Sequence, residues 1–294
     1  MHSTYSDGDF PPARLARTVA GLGYRAFSLT DHDTVAGLTE ASDEADRLGL
    51  LFVPGMEATV RFRREFFTGS LHLLIYFTWE MAIGSSLMYD LTDLVESGRG
   101  PGLVVERVRA INRIFGPDGS EPLLQKPLEE EEIHGYSSHA SRRHFALALS
   151  EIHGLGPEEV NAVISNDSPA YVPSGVELEG FSPFLSKHPA LPVLAHPAAG
   201  SYPGDSHYSE VLPPLETVEA LLPEFLEVGV RGLEVEYPGH TEEHKELLRQ
   251  WAERQDLVVT GGSDCHDADK RPMGGVGLTE EELSPILQQL SATY

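Results

Sequence analysis

Cysteine is nearly absent. Cys265 is the only one in 294 residues, so no intrachain disulfide can form, and a reducing cytoplasm is the expected location. It lies in a tight loop between Asp264 and His266 and reads as a small packed thiol. Lysine is almost as scarce, confined to Lys126, Lys187, Lys245 and Lys270. With 46 acidic against 21 basic residues, the formal net charge is −25. No basic stripe is present for a long nucleic-acid duplex, and any phosphate site must draw its positive charge from metals and a few arginines. No apolar run approaches the ~18 residues of a membrane span, and no basic-then-apolar leader is visible. A disulfide scaffold, a membrane protein and a general duplex-binding groove are thereby set aside.

Short apolar runs that end on histidine or a carboxylate are what the chain does contain. Phe27-Ser28-Leu29 runs into Thr30-Asp31-His32-Asp33, and Leu50-Leu51-Phe52-Val53 into Pro54-Gly55-Met56-Glu57. Pro192-Val193-Leu194-Ala195 stops at His196-Pro197, and Leu257-Val258-Val259-Thr260 opens into Gly261-Gly262-Ser263-Asp264-Cys265-His266. A fifth run, residues 71–77, carries His72 inside it. Asp7 to His32 and His32 to Glu57 are each 25 residues, about one βα unit. Short buried strands alternating with helices predict a parallel α/β sheet or barrel, whose chemistry sits at the strand carboxyl ends. Histidine and carboxylate without cysteine form the donor set for Mn, Fe or Zn in a hydrolytic site. Taken singly, Asp7 could cap a helix, His196 fill a turn and Asp264 form an Asx-turn. Taken together with His2, they predict one cleft.

The pattern predicts helices at 11–22, 36–48, 216–228, 241–254 and 280–291, and strands at 24–29, 50–54, 192–195, 232–236 and 257–260. The rhythm lapses between residues 79 and 187. There, helical patterns at 102–115, 138–152 and 157–164 surround a loop-like stretch ending in the charge run Glu129–Glu132, which reads as solvated. Residues 1–78 and 188–294 are therefore expected to form the α/β body, and 79–187 a mainly helical insertion lying over the cleft as a cap. Arg142, Arg143 and His144 open a predicted helix after Ser137-Ser138. They are the candidate substrate-binding residues, because a helix N-terminus adds donors for phosphate.

These motifs, with Ser6-Asp7-Gly8 and Leu71-His72-Leu73-Leu74, fall in the order of the PHP-domain phosphoesterases (polymerase and histidinol phosphatase superfamily), which the chain resembles at both ends. It is most similar to the branch of nucleotide phosphatases and short-RNA exonucleases, through Arg143–Leu149, Pro169–Pro173 and Gly232–Tyr237. The resemblance implies a distorted (β/α)7 TIM-like barrel with two or three divalent metal ions, Mn foremost and Fe, Zn or Mg as the others. Their ligands would be His2, Asp7, His32, Glu57, His72, His196, Asp264 and His266, with Asp7, His32 and His196 closest to the chemistry. The family opens on a His-x-His pair. His2 matches its second histidine, and the first strand reads as truncated, with a real loss of the first histidine as the alternative. The implied activity is hydrolysis of phosphomonoesters on nucleotides (AMP or nucleoside 3',5'-bisphosphate type) or short oligonucleotides by a metal-activated hydroxide. The alternatives are a phosphatase of the histidinol-phosphate type and a non-catalytic metal-binding accessory module. The expected partner is a small phosphorylated substrate. The sequence leaves the oligomeric state open.

Overall fold

Seven strands carry the architecture of the computed structural model, which describes residues 1–136, 142–203 and 212–291 without the side chain of Arg143. They are β1 (Ala26–Leu29), β2 (Leu51–Arg64), β3 (Phe67–Tyr76), β4 (Val176–Glu177), β5 (Leu191–Leu194), β6 (Gly232–Glu236) and β7 (Val258–Gly261). The spatial order is β1-β2-β3-β5-β6-β7, with β4 beside β2. β1 runs parallel to β2, and β5, β6 and β7 are mutually parallel, whereas β3 meets β5 antiparallel. The sheet is thus mixed where the strand rhythm predicted it parallel. Residues 232–236 fit between their neighbours because position 232 is glycine. A Cβ there would stand 2.8 Å from Val193 and 2.9 Å from Val258.

The predicted helices that flank the sheet form close to their expected limits, at Pro12–Gly21, Leu38–Leu48, Leu215–Glu227, Glu242–Gln255 and Glu280–Ser291. Proline opens the first, and its buried side chains, Leu15, Ala16 and Val19, recur at helical spacing. The second ends at Gly49 in the left-handed region (φ 68°). Thr241 caps the fourth by accepting from the His244 amide at 3.2 Å.

Two local differences from expectation have clear causes. β2 extends 14 residues, far beyond 50–54, because Ala58, Val60 and Phe62 continue a buried register past Pro54-Gly55. Glu132, one of the supposedly solvated run, lies in the short helix Glu130–His134. It is tied to Lys126 (2.5 Å) and His153 (2.9 Å).

Packing divides the chain into two compact units, residues 1–60, 71–93 and 177–294, and residues 61–70 and 94–176. Residues 79–93 and 177–187 thus pack with the body rather than with the insertion. Asp90 explains part of this, accepting from Lys187 (2.5 Å), His188 (2.7 Å) and Ser86 (2.8 Å). Trp79 donates to Ser42 at 3.0 Å. The second unit has its own core, in which Val104, Val108, Ile111 and Phe115 of helix Pro101–Phe115 meet Leu124, Leu128, Ile133, Phe145 and Leu149. The helix expected at 138–152 is described from Arg142 and closes in a π-helical turn at Ala148–Ile152. Ser137 and Ser138 lie outside the described residues.

No strand lies between β1 and β7 among the described residues. The Thr30 amide donates to the Met1 carbonyl at 3.0 Å, and the His2 amide to the Cys265 carbonyl at 2.8 Å. Met1 and His2 therefore bridge the carboxyl ends of the two strands. A cavity of about 890 Å³ adjoins them, lined in part by Phe27, Val53, Leu74, Tyr76 and Ile286.

Candidate metal centre

Backbone pairing at the strand ends assembles the site. His32 follows β1 and bridges to Glu57 in the parallel sense. The Asp33 amide donates to the Glu57 carbonyl (3.0 Å), and the Glu57 amide to the Asp31 carbonyl (3.2 Å). His72 lies within β3, and the Ala195 amide donates to its carbonyl at 3.1 Å, which brings His196 beside it. Asp264 and His266 follow β7. The N-terminal segment closes the ring, with the Asp9 amide donating to the His266 carbonyl at 2.7 Å and Ser3 O accepting from the amides of Ser6 and Gly8. Gly8 is required for that turn, because a Cβ would stand 2.2 Å from the His2 carbonyl oxygen. His196 (φ 30°) and Asp264 (φ 47°) both hold left-handed backbone.

The side chains converge. His2 Nε2 stands 2.9 Å from both Glu57 Oε2 and Asp264 Oδ1. Asp7 Oδ1 is 3.3 Å from His266 Nε2 and 3.8 Å from His2 Nδ1. Glu57 Oε1 meets His72 Nδ1 at 2.8 Å and His196 Nε2 at 3.1 Å, and those two nitrogens are 3.2 Å apart. The His2 ring lies 4.3 Å from His32 and 4.0 Å from His266, centroid to centroid. Ligand-capable atoms within 4.8 Å of one another form three overlapping groups: His2–Asp7–His32–His266, His32–Glu57–His72 and His2–Glu57–Asp264. All eight residues singled out from the sequence thus meet in one cluster.

The donor chemistry fits divalent cations. His2 Nδ1 and Nε2, His32 Nδ1, His196 Nδ1 and His266 Nε2 are buried without a properly directed hydrogen bond. Buried polar atoms are normally satisfied, and lone pairs aimed beside carboxylates are satisfied by a cation. Charges in the metal-free cluster are redistributed accordingly. Burial opposes ionisation of Glu57, yet His32 and His72 and the bonds from His196 and His2 hold it well below the usual carboxylate range. Burial also opposes charge on His2, but bonding to Asp264 and Glu57 raises it to about 9. Against the same penalty, His196 is raised to about 9, chiefly by Glu57. His32 falls well below its ordinary value through burial and the neighbouring His2. Asp7 and Asp264 are lowered despite burial, by bonding to His266 and His2 respectively.

A surrounding layer holds these groups. Buried Glu234 accepts from the His196 amide at 2.9 Å, and its burial pushes its carboxyl up to about 7. Tyr237 donates to Asp264 Oδ2 at 3.0 Å, and Arg271 Nη1 lies 3.8 Å from the same oxygen. His240 accepts from the Ala198 amide at 3.2 Å and contacts the Val235 carbonyl through Nδ1 at 2.9 Å, which braces the His196 loop. Glu234 was legible as a carboxylate set among apolar residues of a buried strand. Arg271 lies in an irregular loop and left no periodic signal. The candidate substrate residues belong to helix Arg142–Leu147, in the second unit. Arg142 is exposed, donates to Asn166 at 2.6 Å and lies over the Tyr171 ring at 5.8 Å. His144 is half-buried. The Arg143 side chain lies outside the description.

The family model described as "PHP domain" matches residues 1–140. A phosphoribosyl 1,2-cyclic phosphate 1,2-diphosphodiesterase of Eggerthella lenta is 30% identical over 278 residues, covering 90% of this chain and 92% of the relative. A 5'-3' exoribonuclease of Haemophilus influenzae is 23% identical, covering 90% and 88%. A 3',5'-nucleoside bisphosphate phosphatase of Chromobacterium violaceum is 27% identical, covering 99% and 93%. A solved structure from Bifidobacterium adolescentis shares the fold, with a TM-score of 0.64 at 22% identity over 98% of this chain and 94% of that one.

Proposed function

The chain belongs to the PHP-domain family of metal-dependent phosphoesterases, and on that premise we propose that it hydrolyses phosphate esters on ribose compounds, foremost phosphomonoesters of AMP or nucleoside 3',5'-bisphosphate type and the ends of short oligonucleotides. The observation that carries this reading is the convergence of His2, Asp7, His32, Glu57, His72, Asp264 and His266 into three ligand groups that share members, with His196 beside Glu57 and His72. The names of the three relatives, which share ribose-phosphate or RNA chemistry, support the substrate class. We assign these eight residues as ligands of two or three divalent ions, with Mn as the leading ion. Bound ions supply positive charge for phosphoryl oxygens and acidify a water toward neutrality. The chain's own contribution is to hold Asp7, His32 and His196 at the reacting side of the cluster and to keep Glu57 ionised among histidines. Asp7, half-exposed at 55%, marks the open face where a substrate reaches the cluster.

A polyanionic substrate needs further cations on a chain of net charge −25. We assign that role to Arg142, Arg143 and His144, and add Arg271 because of its place beside Asp264. A cytoplasmic location is proposed from the single buried thiol of Cys265.

The test strips the protein with chelator, reloads it with Mn²⁺, Mg²⁺, Zn²⁺ or Fe²⁺, and measures phosphate release. The panel holds AMP, a nucleoside 3',5'-bisphosphate, short RNA, a cyclic ribose phosphate and histidinol phosphate. Release from the ribose compounds only with added metal is the expected result. Preference for histidinol phosphate would select the metabolite-phosphatase alternative, and silence from folded, metal-loaded protein would select the accessory module. Arg143→Ala run on the same panel should lose about ten- to a hundredfold in kcat/KM if it contacts phosphate.

A further inference from the structure

Asp31 and Asp33 flank His32, and neither belongs to the ligand groups. Asp31 is 1% exposed and has no ion pair among the described residues. A buried carboxylate without a cation persists only where hydrogen bonds replace its hydration, and three do so here. Oδ1 accepts from the Ser3 amide at 2.5 Å and from Ser6 Oγ at 2.7 Å, and Oδ2 accepts from Ser3 Oγ at 2.7 Å. All three donors belong to the turn that carries His2 and Asp7. Asp33 faces the other way. Its carboxylate accepts from the Thr59 amide and Thr59 Oγ1, both at 2.7 Å, two residues beyond Glu57 on β2. It does so from left-handed backbone (φ 51°), a conformation that costs energy in a non-glycine residue.

We propose that Asp31 and Asp33 are positioning residues that lock separate ligand segments onto His32, Asp31 fixing the His2–Asp7 turn and Asp33 fixing the Glu57 segment. The inference rests on the proposed metal centre. Its distinctive consequence is selectivity. The Asp31 carboxylate braces the group His2–Asp7–His32–His266 and bonds nothing that holds His72; only its backbone carbonyl, which a substitution keeps, meets the Glu57 amide. Losing Asp31 should therefore empty the Asp7-containing site and leave an ion at His32–Glu57–His72. A residue that merely stabilises the fold would weaken both alike.

The experiment uses the full chain as wild type, Asp31→Asn, Asp31→Ala and Ser6→Ala. Each is stripped, reloaded with Mn²⁺ alone, and read by bound metal per chain, titration calorimetry and circular dichroism. Asn can keep the geometry, with its oxygen accepting from Ser3 N and Ser6 Oγ and its amide donating to Ser3 Oγ. Asp31→Asn should thus retain the wild-type metal count. Asp31→Ala should lose one ion per chain. Ser6→Ala, which removes the 2.7 Å bond to Asp31 and a long 3.5 Å one to Asp7 Oδ1 and keeps the test open if Asp31→Ala does not fold, should weaken that ion by about ten- to a hundredfold and leave the other unchanged. Wild-type metal binding in Ser6→Ala, or equal weakening of every ion in any folded variant, overturns the proposal. A wild-type protein that binds no Mn²⁺ instead overturns the metal-centre reading itself.

Discussion

Glu57 is the residue on which the cluster turns. It is 3% exposed, belongs to two of the three ligand groups, and has both oxygens within 3.1 Å of histidine nitrogens. Without metal, its charge is balanced by protonated His2 and His196, each raised to about 9 from an ordinary 6.5. The sign follows from linkage. A group whose folded value is raised contributes stability that is complete below its unfolded value and is lost as pH rises through the folded one. Glu234, raised from 4.5 to about 7 by burial, acts in the same direction but at lower pH, and its effect is largely spent by pH 7. The metal-free protein should therefore lose several degrees of melting temperature between pH 6.5 and 9. Metal binding should show the opposite trend, because ligands must shed protons. Mn²⁺ affinity should rise over the same window by up to about tenfold per pH unit for each proton released. Calorimetry in buffers of different ionisation enthalpy at pH 7 should report about two protons released, those of His2 and His196. No proton release would mean that these histidines are already neutral and that Glu57 is balanced in another way.

Elements differ in how much of them could be read beforehand. Helices such as Pro12–Gly21 announce themselves because a proline start and a buried 3–4 spacing are local signals. β1 and β5–β7 were legible as short apolar runs, and so was the placement of candidate ligands after the ends of β1, β5 and β7. The continuation of β2 to Arg64 was not, because the polar residues Glu57 and Thr59 interrupt its apolar pattern and are buried only by tertiary contacts. The antiparallel meeting of β3 and β5 is a matter of chain path, which local sequence does not encode. Asp31 and Asp33 were visible only as neighbours of His32, since their partners Ser3, Ser6 and Thr59 lie about 25 residues away. In the second unit, Asn112 sits mid-helix without any apolar signal, yet it closes the loop after Phe115. Its amide donates to the Leu128 carbonyl and its oxygen accepts from the Leu128 amide, both at 2.8 Å. Asn112→Ala should cost about 1–3 kcal/mol, since it strands two backbone groups of the buried Leu128. Thermal unfolding should show the loss, while bound Mn²⁺ per chain stays at the wild-type value. A melting temperature equal to wild type would mean that water replaces the clamp.

At the scale of the whole molecule, a net charge of −25 opposes the approach of the proposed substrate, while two or three divalent ions at the centre would bring about four to six positive charges against it. Which field a phosphate ester feels depends on how far each reaches. At about 0.01 M ionic strength the Debye length is roughly 30 Å, and the acidic surface as a whole contributes. At about 0.15 M it shrinks to roughly 8 Å, and mainly the ions and nearby groups such as Arg271 act on a substrate at the mouth. Added KCl should therefore first raise kcat/KM by removing long-range repulsion, then lower it as screening reaches the local attraction. The maximum should fall near the salt at which the Debye length is about 8–10 Å. A nucleoside 3',5'-bisphosphate, carrying about twice the charge of AMP, should show the steeper rise. Initial-rate measurements at fixed free Mn²⁺ across the KCl series decide the matter. A rate that falls monotonically from the lowest salt would mean that the local positive field dominates at every range and that the acidic surface faces away from the substrate's path.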